Sequence, residues 1–138
     1  MLLQITHQNT ASPMSSVVPE RDAIEQVSQL PADQPVVMLN LLKFRDRTEE
    51  GKSGKRLYLL YQKRMVPVLQ KAGGEALWLG QAKVPLVTDT EWDMTVLVKY
   101  PNPKAFVDMV TSKEYAEVSH LREQALEKAV LIAHHQMG

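Results

Sequence analysis

The chain of 138 residues suits one domain of ordinary size, and its 44% hydrophobic and 23% charged content is that of a globular protein. Sixteen basic and sixteen acidic side chains cancel to a formal net charge of zero, leaving no basic excess for nucleic acid or an anionic membrane surface and little repulsion against self-association. There is no cysteine, which excludes disulfides, thiolate metal sites and thiol catalysis.

The N-terminal MLLQITHQNTASPMSSVVPE has neither a basic leader nor a sustained apolar run, and no stretch approaches the ~20 apolar residues of a membrane span. The expected compartment is the cytoplasm. Residues 1–18 are polar and turn-rich after Leu2–Ile5, and both an edge strand and disorder fit them. From Pro19, which suits a first helical turn, Ala23, Ile24, Val27 and Leu30 form one apolar stripe that Pro31 ends. Residues 1–35 therefore read as an extension with a short helix, and residues 36–138 as the domain proper.

Val36–Leu42 is apolar on both alternating faces except at Asn40, as expected of a strand covered on both sides. After a charged loop, Leu57, Leu60, Tyr61, Met65, Val68, Leu69 and Ala72 recur at helical spacing; Pro67 predicts a kink and Gly73–Gly74 a stop. Ala76–Val84 and Trp92–Tyr100 read as strands. Asn102 and Pro103 open a helix to about Val110, and the Thr111 to Glu114 capping-box spacing opens another, with Tyr115, Val118, Ala125 and Leu126 on its apolar side. Ala129–His135 is the last strand.

The order helix, then β-α-β-β-α-β, predicts an α+β, ferredoxin-like fold: an antiparallel sheet with its helices on one face. The strands are apolar on both faces, since Met38 and Leu39, Trp78 and Leu79, and Val96 and Leu97 point in opposite directions. A bare second face would be a large exposed apolar patch. A second copy, sheet against sheet, is the expected cover, and the N-terminal segment is the alternative.

VVMLNLLKFR (36–45), YLLYQKRMVPVL (58–69), GGEALWLG (73–80), WDMTVLVKYPNPKAF (92–106) and MVTSKEYAEVSHLREQALE (109–127) together resemble family 1330 of the domains of unknown function, within the dimeric α+β barrel superfamily. The resemblance implies a ferredoxin-like subunit whose sheet packs on a partner's, with no established activity. Superfamily relatives include cofactor-free monooxygenases, lactone isomerases and haem-degrading enzymes, which hold a ligand between sheet and helices; this is an analogy of fold.

Asn40 is the most informative candidate, because an amide inside an apolar strand must find hydrogen bonds. It either orients a substrate carbonyl or ties the strand to a neighbour. Trp78 and Trp92 are candidates to line a flat pocket or to fill core. Tyr61, on the apolar face of its helix, could donate to an oxyanion. Asp93 is a candidate base or cation ligand, with a carboxylate satisfied by a nearby arginine or a backbone donor as the alternative. His120 is a candidate base or haem ligand, and Arg122 a carboxylate clamp. His134 and His135 diverge along a strand, and no metal-binding or nucleotide-binding motif is present. The expected function is thus a small-molecule-binding protein or cofactor-free enzyme. Asn40, Tyr61, Trp78, Trp92 and Arg122 would bind a small apolar or carboxylated metabolite, with Asn40, Asp93 and His120 as catalytic candidates. No cofactor or metal is expected. A non-catalytic dimeric interaction module is the alternative, and haem binding through His120 a further one.

Overall fold

The computed structural model describes residues 17–138; the readings made for residues 1–16 lie outside them. The first helix, α1 (Arg21–Ser28), begins after Glu20, so Pro19 precedes the cap instead of occupying the first turn. None of its residues is buried. It packs against α3 (Pro103–Val110), on the helical side of the sheet.

Strand β1 (Val36–Phe44) leads through the charged loop to α2 (Gly54–Lys71), whose N-terminus is capped by Ser53 accepting from the Arg56 N–H. The helix continues through solvent-facing Pro67, whose ring removes one donor near the C-terminal end. It then stops at the glycine pair as expected. The Gly73 and Gly74 N–H groups donate to the Gln70 and Leu69 carbonyls, and Gly73 takes a φ of 75° that a side chain would resist. Strands β2 (Glu75–Gln81) and β3 (Met94–Tyr100) follow. Both are shorter than the sequence suggests, leaving Trp92 and Asp93 in the connection before β3.

Asn102 caps α3 as expected, its Oδ1 accepting from the Ala105 N–H at 2.8 Å. The cap of α4 (Lys113–Ala125) is Ser112, whose Oγ accepts from the Tyr115 N–H at 3.0 Å. Thr111 is not that cap: its hydroxyl donates back to the Val107 carbonyl at 2.7 Å, and the free Tyr115 N–H of α4 goes to Ser112. Strand β4 (Leu126–His134) begins without a loop, so Leu126 is strand and not helix.

The four strands form an open antiparallel sheet in the order β2-β3-β1-β4, the ferredoxin-like arrangement with β1 and β3 central. Val36, Met38, Asn40 and Leu42 of β1 face the helices, with Val96 and Tyr100 of β3, while Val37, Leu39 and Leu41 face away. Leu57, Tyr61 and Met65 of α2, Phe106 and Met109 of α3, and Val118, Leu121 and Ala125 of α4 complete the core. Burying a large apolar side chain is worth about 1.5–3 kcal/mol, so this single layer of contacts accounts for the sided sheet.

The opposite sheet face carries an apolar row across all four strands. Trp78 pairs with Leu97, Leu97 with Leu39, and Leu39 with Ile132. Trp78 is 55% and Ile132 48% exposed. Gly80 makes room for the Trp78 ring, since a Cβ there would lie 2.0 Å from it. No described helix covers this face, so α1 is not the cover considered from the sequence. No helix among the described residues is long and apolar enough to cross a membrane.

Candidate functional site

Between the inner sheet face and the helices lies a cavity of about 260 Å³. Its floor includes Met38, Asn40, Val96 and Val98, and its roof Tyr58, Tyr61 and Met65 of α2 with Arg122 of α4. Helical spacing explains the roof, because Tyr58, Tyr61 and Met65 recur at i, i+3 and i+7. Phe44, Tyr58 and Tyr61 form a run of tilted rings with centroids 5.4 and 5.3 Å apart. At the far wall, Tyr100 and Phe106 meet edge to face at 5.2 Å. A wider crevice of about 560 Å³ runs under α1, and Met38, Phe106, Arg122 and Leu131 form the partition between the two.

The polar atoms are few. Asn40 Nδ2 donates to the Val96 carbonyl at 3.3 Å, tying the central strand pair from the cavity side. Both readings of Asn40 therefore meet in one residue: the amide has a structural bond, and it borders the cavity. Arg122 is only 4% exposed. Its Nη1 donates to the Val17 carbonyl, and its Nη2 is buried without an acceptor among the described residues. Burial holds the Tyr58 phenol up at a pKa of about 12, against a smaller opposing pull from the Arg122 charge. Burial also raises Tyr61 well above the ordinary tyrosine value, and raises Tyr100. These phenols stay protonated across physiological pH and can act as neutral donors.

Of the residues singled out from the sequence, Asn40, Tyr61 and Arg122 share this cavity. Trp78 does not, because it lies on the opposite sheet face. Trp92 is half-buried in the β2–β3 connection, away from the lining. Asp93 is occupied structurally: its Oδ2 accepts from the Phe44 N–H at 2.8 Å and its N–H donates to the Leu42 carbonyl at 2.8 Å. It extends the β1–β3 ladder and makes no ion pair with Arg122. His120 lies on the exposed side of α4, which removes it from any ligand held in the cavity. Met65, Tyr100 and Met109 line the cavity without having been assigned to a site from the sequence; the helical spacing on α2 was the available signal for the first.

The family model described as "Domain of unknown function (DUF1330)" matches residues 53–135, more than half of the chain. This chain belongs to the DUF1330 family. The match includes Tyr58, Tyr61 and Arg122, while Asn40 lies before it. A crystal structure of a protein of unknown function from Rhodopseudomonas palustris is similar at 28% identity and a TM-score of 0.82, covering 88% of this chain and 97% of that one. A methylated form of the same protein gives 29% identity and a TM-score of 0.81, over 88% and 95% of the two chains. A dimeric protein of unknown function and ferredoxin-like fold from Bacteroides fragilis matches in fold, with 14% identity, a TM-score of 0.53 and 77% and 100% coverage. No curated protein matches the chain significantly.

Proposed function

We propose that this DUF1330 protein is a homodimeric small-molecule-binding protein, with one ligand held between sheet and helices in each subunit. The observation that carries the reading is the 260 Å³ cavity, walled by apolar and aromatic side chains with a few convergent polar groups. Binding is favoured over acid–base catalysis by the cavity's own residues, since no Asp, Glu, His or Lys lines it among the described residues. Dimerisation through the outer sheet face is supported by the Trp78–Leu97–Leu39–Ile132 row, too apolar to suit open water. The Bacteroides fragilis neighbour is itself dimeric, an assembly that would cover this row here.

Native mass spectrometry of gently purified full-length protein tests both halves. The expected spectrum is a dimer carrying up to one extra small mass per subunit, and Leu39→Lys should give monomers that still carry it. A wild-type monomer would refute the sheet-to-sheet assembly. Persistent ligand-free protein that also fails to take up any apolar probe would refute the pocket.

A further inference from the structure

We propose that the cavity selects a small monocarboxylate on an apolar, ring-sized body, and that Arg122 is the group that recognises the carboxylate. This rests on the pocket reading above and names its ligand class.

The inference starts from a charge without a counter-charge. A guanidinium stays protonated at any working pH, and burying one is costly unless it is paired with an anion and fully hydrogen-bonded. Arg122 is buried, yet its protein bond is to a neutral backbone carbonyl, that of Val17. Its Nη2 remains without an acceptor among the described residues. The ion pairs among those residues lie elsewhere: Lys52 with Glu50, Lys71 with Glu114, and Lys104 with Asp108. Asp93, a partner the sequence allows, is bonded to the Phe44 backbone instead. An arginine serving only to hold the fold would be expected to face a carboxylate.

Its position gives the unsatisfied charge a use. Leu121, Arg122 and Ala125 form the buried side of α4, which directs the guanidinium into the partition between cavity and crevice. No other formally charged residue lines the cavity among the described residues, so a single negative charge matches it and a phosphate dianion does not. A planar guanidinium suits a planar carboxylate. The protonated phenols of Tyr58 and Tyr61 border the same space and can donate to an anion without themselves acquiring charge. The remaining wall sets the rest of the ligand. An apolar cavity of roughly 150 Å³ admits benzene. At about 260 Å³, this one has room for such a ring with a short chain and its carboxylate.

The test is calorimetric titration of the full chain with 3-phenylpropanoate and with the isosteric neutral 3-phenylpropanamide. Wild-type protein should bind the acid about ten- to hundredfold more tightly than the amide, the range expected for hydrogen bonds to a charged group. In Arg122→Met the two should bind within about threefold of each other at roughly the wild-type amide affinity, and Arg122→Lys should restore part of the preference. Equal binding of acid and amide to wild type, or a preference that survives Arg122→Met, overturns the carboxylate assignment while leaving the pocket. Binding of inorganic phosphate in preference to both compounds overturns it as well. No binding of either compound overturns the proposal together with the pocket reading. The wild-type comparison needs no variant, so a variant that fails to fold does not remove the test.

Discussion

Replacing Arg122 by methionine should stabilise the ligand-free protein. The native side chain is 4% exposed and holds one described protein hydrogen bond, to the Val17 carbonyl, with Nη2 unsatisfied. Methionine keeps much of the apolar stem and fills irregular space well, so the packing against the core changes little. The substitution forfeits a charge-assisted bond worth about 1.5–3 kcal/mol. It also removes the cost of an unsatisfied buried group, about 1–3 kcal/mol or more for a charge, and the several kcal/mol of desolvating the ion. Exchanging buried ionic groups for apolar ones of similar size is commonly neutral or favourable by up to about 4 kcal/mol. The balance here is a gain of about 1–2 kcal/mol, a rise in Tm of about 3–8 °C for a domain of this size. Urea unfolding followed by circular dichroism, at one fixed protein concentration because of the expected dimer, measures it. A loss of more than about 1 kcal/mol would show that the arginine is compensated in the free protein, and the reasoning from its unpaired charge would fail.

Asp93 offers a contrast, because its carboxylate is a structural acceptor. Asp93→Ala should destabilise the fold by about 1–3 kcal/mol by stranding the Phe44 N–H, whereas Asp93→Asn, which keeps an acceptor, should recover most of that; equal stability of the two variants would count against the bond. The tyrosines predict alkaline behaviour with a definite sign. Tyr58 titrates at about 12 in the fold against 10.0 ordinarily, so its contribution is fully present below pH 10 and is lost as pH climbs toward about 12. Tyr61, also raised by burial, should add to the loss in the same direction. Spectrophotometric titration should show phenolate appearing late and together with unfolding, and a simple titration near pH 10 with the fold intact would contradict their burial.

The fold was legible because its punctuation is local. The apolar run of β1, the glycine stop after α2 and the Asn102–Pro103 start of α3 each depend on residues within a few positions of one another. Boundaries were harder where neighbours compete for the same role. Thr111 and Ser112 both carry a hydroxyl that donates back into α3, and only that of Ser112 also accepts from the Tyr115 N–H that opens α4. In the site, Asn40 and Arg122 were visible as polar interruptions of apolar faces. Trp78 misled for a clear reason. Strict alternation would put it on the same face as Ala76, which lines the cavity. A bulge between Ala76 and Trp78 advances the register by one residue, sending Trp78 to the outer face and Leu79 inward. That irregularity depends on the pairing with β3 and has no signature in β2 alone.

The same bulge has a second effect, on how copies of the chain meet. Strand β2 is an edge of the sheet, exposed along nearly its whole length, and the chain has no net charge to keep molecules apart. A straight edge of that kind is a template on which further strands can add, one molecule after another, toward fibres. The extra residue at Leu77 breaks the even spacing of free N–H and C=O groups that such growth requires. The sheet-to-sheet pairing proposed above, by contrast, would close after two copies and stop.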